Sequence, residues 1–208
     1  VTSSLEDPID SEPLGVRVAS SHSVTLVVPG GDGVVGSEVI RSIVTCVREN
    51  LGVGATFRAL VAARASGLAS TEGDLSRPHI AVLQELDVPV VLHDPVRHCK
   101  QAPSLRAVGE RTVPVPVWLH PILLDSDLVI SADRLELRHE QGLAGGFDRI
   151  AWSCSGPPTR MALERIATGL SPTERIGDVE DNPLYQAVVA VASRIPSQSR
   201  RPWRWHGG

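Results

Sequence analysis

The chain has 208 residues, 42% of them hydrophobic, and a formal net charge of −4, which predicts one globular domain with a sizeable core. That charge offers no basic field for nucleic acid, and no apolar run approaches the ~20 residues of a membrane helix. Cys46, Cys99 and Cys154 are widely spaced and odd in number, against a disulfide framework or a paired-cysteine zinc site, and the start lacks the basic and apolar regions of a signal peptide, so a cytoplasmic location is expected.

Residues 1 to about 22 are acidic and contain Ser and Pro. They predict a flexible segment with a short extended piece at Val16 to Ala19. Val24-Thr-Leu-Val-Val28 is short, β-branched and followed by punctuation, as a buried strand should be. The punctuation is Pro29-Gly-Gly-Asp-Gly-Val-Val-Gly36. Ser37 is then placed to cap a helix with an apolar stripe of Val39, Ile40, Ile43, Val44 and Val47. Cys46 falls on that face and is expected to be buried; Asn50 and Gly52 end the helix. A second strand over Phe57 to Ala63 leads into a polar turn with Ser66 and Gly67. Arg77-Pro78 opens a short helix with Ile80, Leu83 and Leu86 turned inward.

Val88-Pro-Val-Val-Leu-His93 reads as a third strand, its proline marking a sheet edge or a strand start. Residues 95 to 112 read as polar and irregular. Val113-Pro-Val-Pro-Val-Trp-Leu-His120 must be extended, because each residue before a proline is pushed out of the helical region. Leu128 to Ile130 forms the next strand. Helices follow at about Thr159 to Thr168 and at about Pro183 to Ile195, the latter behind an Asp181-Asn182 cap. Strands alternating with helices predict an α/β domain over 23–196, three-layered and Rossmann-like with a mainly parallel sheet. Residues 197–208 are rich in Arg and Trp and are expected to form a flexible tail, and there are no internal repeats. Loops 29–36, 63–70 and 131–148 each follow a strand, where such folds bind ligands, so they are expected to share one crevice.

The most informative segment runs from Asp127 to Arg149: a buried strand, a polar turn, then a loop with Gly142, Gly145 and Gly146. Glycine lets backbone approach a ligand or another chain segment closely. The Gly30-Gly31-Asp32-Gly33 stretch before a helix suits either a phosphate cradle or merely a tight turn, the latter favoured. His93-Asp94 and His98-Cys99 suit a metal site or a polar surface loop, again the latter favoured. His120 reads as a partly buried strand-end residue. Asp133, Glu136, Glu140 and Asp148 interleave with Arg134, Arg138 and Arg149, either as a ligand cluster or, preferred, as a solvated ion-pair network. Arg138 is the best candidate for gripping a carboxylate.

Several of these motifs, in their order, resemble the N-terminal domain of nickel-pincer-dependent lactate racemases. They are the Val24–Val28 strand, Leu105-Arg-Ala-Val-Gly109, Asp127-Leu-Val-Ile130, Gly142-x-x-Gly-Gly146 and Asn182-Pro183-Leu184. The resemblance runs from about Val24 to Ile195. It implies a fold whose enzymes carry a second domain of comparable size and a nickel-bearing nucleotide that takes a hydride from lactate. It also implies a lysine that anchors this cofactor, histidines that move the hydroxyl proton, and an arginine and an aspartate on the first loop.

Position by position, the reactive groups depart from that pattern. Asp32 stands near the first-loop aspartate without the arginine, and Ser66 stands where the second-loop base belongs. Arg138 aligns with the third-loop histidine, leaving His139 next to it as a weak catalytic candidate. Asp148 occupies the lysine position, and Glu164 falls near the nickel-binding histidine. Lys100 is the only lysine in the chain. The expectation is therefore a catalytically degenerate, stand-alone domain, with no cofactor and no bound metal, that binds a small anionic ligand or a protein partner. The candidate ligand-binding residues are Gly30, Gly31, Asp32, Gly33, Ser66, Arg138, Gly145, Gly146 and Asp148. Two alternatives stay open: a 2-hydroxy-acid racemase or epimerase using the nickel-pincer nucleotide and completed by a second domain or chain, and an oligomerisation or interaction module.

Overall fold

A computed structural model describes residues 2–9, 11–30, 35–63, 78–105, 114–169, 179 and 181–195. Four parallel strands make the central sheet: β1 (Ser23–Val28), β2 (Thr56–Val61), β3 (Val90–Leu92) and β6 (Leu128–Ser131), in the order β3-β2-β1-β6. β1 lies between two neighbours, with Val24 beside Phe57 on one side and Leu128 on the other. From Val24 onward every residue of β1 is buried. A strand covered on both faces has no use for polar alternation, which is why this run is apolar but for Thr25, whose buried hydroxyl lies 2.7 Å from Ser126 Oγ. Pro89 directly precedes β3 at the sheet edge, where a missing N–H costs nothing, and its carbonyl accepts from Ala59 N at 2.8 Å.

The two faces of the sheet carry separate cores. On one face Val24, Leu26, Val28, Ala59 and Val61 meet helices α2 (Leu14–Ala19), α3 (Ser37–Asn50) and α4 (Pro78–Glu85). On the other, Val27, Leu60 and Val129 meet helices α6 (Pro157–Thr168) and α7 (Pro183–Ala192) and a π-helical turn, Arg149–Ser153. A small antiparallel sheet, β4 (Lys100–Leu105) with β5 (Val115–Leu119), lies on this second side and shares its core through Ala102, Val117 and Leu119. This is the three-layer, Rossmann-like α/β arrangement expected from the alternation of strands and helices.

Four local expectations are corrected. Val16 to Ala19 is helical, inside α2, because Val18 packs fully buried against α3 and its neighbours, and tertiary burial outweighs the weak local pattern. Ser37 is the first helical residue and not the cap; Gly36 holds the extended cap position. Residues 100–105 form a strand, since β5 provides a ladder that their own sequence does not advertise. Cys46 is half-buried. A short further helix, α1 (Thr2–Glu6), precedes α2, and Leu5 and Leu14 pack against the α3 side of the core.

The start of β6 is pinned to the start of β1 by one carboxylate. Asp127 Oδ2 accepts from His22 N at 2.9 Å, Ser23 N at 3.0 Å and Ser23 Oγ at 3.1 Å. These bonds favour the ionised form and hold the Asp127 carboxyl below its ordinary range. They fix the register that sets where the loop after β6 emerges.

The strand-end loops and a buried histidine cluster

Because β2, β1 and β6 are adjacent and parallel, the loops after them leave the same edge of the sheet. Their bases are stitched together. Ala62 N donates to Val28 O, and Ala132 N donates to Val27 O. His79, buried on α4, places Nε2 2.8 Å from Pro29 O, which can only accept; Nε2 therefore carries the proton and ties the first loop to α4. Ala63 N donates to Ser153 O, so the π-helical turn closes over the base of the second loop. Gly30 is buried at the end of β1. Gly31, Asp32, Gly33 and Ser66 lie outside the described residues.

The third loop is a built object. Residues 136–144 form a hairpin of β7 (Glu136–Arg138) and β8 (Gly142–Ala144), a strand pair not anticipated from the glycine content. Gly142, Gly145 and Gly146 all have positive φ, at 78°, 137° and 57°. At Gly145 close approach matters as well, since a Cβ would lie 3.1 Å from Arg134 O and 3.3 Å from Leu135 Cα. Ser131 Oγ donates to Gly146 O at 3.1 Å, joining the hairpin's return to the end of β6. At the hairpin turn, Asn182 caps α7 by accepting from Leu184 N and Tyr185 N, and its Nδ2 donates to Glu140 O. Trp152 Nε1 donates to Gln141 Oε1 at 3.0 Å.

The charged set on this loop divides in two. Arg134 and Arg138 pair with Glu136 at 2.8 and 3.2 Å while remaining largely in solvent, the weak surface network expected. Asp133 and Arg149 depart from that expectation. Arg149 Nε and Nη2 grip Asp133 at 3.1 and 2.9 Å, with side chains only 15% and 6% exposed. This is a buried fork between the end of β6 and the π-helical turn. Asp148, at the N-cap of that turn, is half-buried; burial raises its carboxyl pKa, while Gln141, Arg149 and Arg138 oppose the shift. Arg138, Gly145, Gly146 and Asp148 thus share one neighbourhood, with Arg138 exposed. His139 is exposed at the hairpin turn.

In the His93–Cys99 stretch His98 is exposed, as a polar surface loop requires, but His93 is a correction to that expectation: it is fully buried directly after β3. His120 is buried at the end of β5, the strand-end position expected for it. The rings of His93 and His120 meet edge-on with centroids 5.3 Å apart, and exposed His98 meets His120 in the same way at 5.8 Å. Burial, reinforced by His120, pushes His93 down to about 3. Burial also pushes His120, with His98 and Arg58 nearby, down to about 4. His120 Nδ1 accepts from Ile122 N at 3.2 Å and so caps helix α5 (Pro121–Leu124). Arg160, on α6, is buried in the same region, and burial lowers its pKa. Arg160 lies three residues before Leu163 and seven before Ala167, on the apolar face of α6, but a long arginine side chain at that spacing is too ordinary at a surface to signal burial by itself. Among the described residues no three His, Cys, Asp or Glu side chains converge to hold a metal ion.

Neither a family model nor a curated protein matches the sequence. Solved structures do. The lactate racemase apoprotein from Thermoanaerobacterium thermosaccharolyticum superposes with a TM-score of 0.77 at 16% identity, over 93% of this chain and 45% of that one. A structural-genomics protein from Thermotoga maritima superposes with a TM-score of 0.69 at 16% identity, over 91% of this chain and 48% of that one. The chain spans less than half the length of either structure, and what it shares with them is a lactate racemase-like α/β fold.

Proposed function

We propose that this chain is a catalytically silent protein of lactate racemase-like fold, which binds a small anionic ligand at the loops after β1 and β6 without turning it over. The observation that carries this reading is Asp148, a half-buried carboxyl where the resemblance calls for a cofactor-bearing amine. A nickel-pincer nucleotide does not suit these residues. The chain's only lysine, Lys100, is exposed on β4 in the second sheet, and His139 points its chemistry at solvent from the hairpin turn. A base must reach the proton it removes, and an anchor must reach the group it holds. The scaffold supports the other half of the reading: positive-φ glycines hold backbone close beside Arg138, whose side chain is 57% exposed.

Calorimetric titration with acetate and with D- and L-lactate tests the ligand. Saturable binding is expected, weakened roughly fivefold by Arg138→Gln, the ~1 kcal/mol of a solvent-exposed ion pair. Absence of saturable binding to all three would contradict the ligand assignment.

One observation favours a second reading, in which the hairpin docks a further polypeptide. Leu135 and Leu137 are 70% and 68% exposed side by side on the hairpin, and adjacent exposed apolar side chains are costly without a cover. On that reading a partner chain completes the crevice, and light scattering of the isolated protein would report a self-associated species.

A further inference from the structure

Arg160 is 8% exposed, and among the described residues its Nε and Nη2 donors meet no acceptor. Those two N–H groups form one edge of the guanidinium, the edge with which Arg149 grips the Asp133 carboxylate elsewhere in this molecule. Buried unpaired cationic donors are strongly unfavourable, so a vacant edge of this kind marks a missing anion. Among the described residues no acid supplies one. The Asp94 carboxylate is engaged by Val96 N and Arg97 N, and Glu164 is exposed on α6. Cys99 and Cys154 both sense the Arg160 charge, but burial pushes both thiols up, so they stay neutral.

His93 adds a group of the opposite kind. Its Nε2 faces Ser155 O at 3.4 Å, and a carbonyl can only accept, so the ring proton belongs on Nε2. Nδ1 is then a bare lone pair, buried and, among the described residues, without a partner. Arg160 is near enough to His93 for its charge to lower the basicity of that ring. Two donors on one edge and one acceptor beside them fit an oxyanion that still carries a proton.

We propose that Arg160 and His93 form a binding site for a monoprotonated phosphate group, with the guanidinium edge pairing two oxygens and His93 Nδ1 accepting the O–H of a third. Exposed His98 and nearly buried His120 lead from the surface to His93 in edge-on steps. Cys99 and Pro95 O pack closely on Gly156, just before α6: a Cβ there would lie 3.2 Å from Cys99 Sγ and 3.3 Å from Pro95 O. Helix α6 is held in place by Thr159 Oγ1, which donates to Pro116 O and accepts from Trp118 N. The site goes beyond the ligand proposed at the hairpin, because its residues come from β3 and α6.

The test uses the whole chain in chloride buffer, with inorganic phosphate, glycerol 3-phosphate and sulfate added separately. Phosphate raises the melting temperature by mass action. Sulfate, which carries no proton at neutral pH, is expected to bind at least roughly tenfold more weakly, because a lone pair then faces an anionic oxygen. Glycerol 3-phosphate binding as well would identify a phosphate monoester as an admitted ligand; inorganic phosphate binding alone would identify the free ion, and either supports the site. Arg160→Met removes the phosphate-induced shift yet melts no lower than wild type without phosphate, since it deletes an unpaired buried charge. His93→Leu erases the preference for phosphate over sulfate, and Arg138→Gln leaves the phosphate shift unchanged. A wild-type melting temperature indifferent to phosphate would overturn the proposal, as would an Arg160→Met variant that still responds. Loss of the shift in Arg138→Gln would overturn it too, while leaving the hairpin ligand intact.

Discussion

Asp133→Ala is expected to destabilise the protein by about 3 kcal/mol, the lower part of the range for breaking a buried ion pair by removing one partner. The physical cause is the residue left behind. Arg149 would keep its guanidinium largely buried with both gripping donors, Nε and Nη2, deprived of their acceptor. The estimate sits low because 15% of the Arg149 side chain already reaches solvent. Replacing both partners, as Asp133→Leu with Arg149→Met, should cost far less than Asp133→Ala alone, since no uncompensated charge remains. Urea unfolding measures this directly: the midpoint of the single variant falls at unchanged slope, and the double variant recovers most of the loss. Equal loss in the single and double variants would mean that side-chain packing, and not charge pairing, holds the hairpin to the π-helical turn.

Gly145→Val is the second substitution with a large effect, and here two costs add. The φ of 137° lies where side-chain-bearing residues are rarely found, a strain of ~1–3 kcal/mol. The new Cβ would also sit 3.1 Å from Arg134 O and 3.3 Å from Leu135 Cα, which are backbone atoms and cannot swing aside as a side-chain tip could. A loss of about 3 kcal/mol is expected. Gly146 supplies the control for the two contributions. Its φ is also positive, at 57°, but nothing lies within 4 Å of a Cβ there. Gly146→Ala should therefore cost only about 1 kcal/mol, the left-handed strain without the clash. Similar losses at the two positions would show that crowding at Gly145 is relieved by movement of the hairpin.

The parallel sheet was legible because its strands are short, largely apolar and rich in β-branched residues, and Val24 to Val28 needs no partner's help to be recognised. The Asn182-Pro183 start of α7 was equally plain, since cap and first-turn proline are local signals, and the cap bonds are present. What escaped depended on distant partners. Val16 to Ala19 alternates like a strand and is helical only because Val18 finds a place against the α3 side of the core. Lys100 to Leu105 becomes a strand through β5, and its Pro103 argued the other way.

The candidate site follows the same division. Gly142, Gly145 and Gly146 were readable as positions that call for glycine, and all three have positive φ; close approach is seen at Gly145, whereas nothing lies within 4 Å of a Cβ at Gly146. The burial of His93 and Arg160 was not readable from their loop and helix contexts, because it is created where β3, β5 and α6 meet. A histidine after a strand and an arginine on a helix are ordinary surface residues until packing removes their solvent.

The central claim, that this fold is present without the groups that would do racemase chemistry, is tested most directly by one incubation. The purified protein is mixed with nickel-pincer nucleotide and L-lactate, the enantiomers are separated on a chiral column, and the protein's intact mass is recorded from the same tube. An unchanged mass and no D-lactate above the protein-free control are the predicted results. A covalent mass increase accompanied by D-lactate would contradict the account.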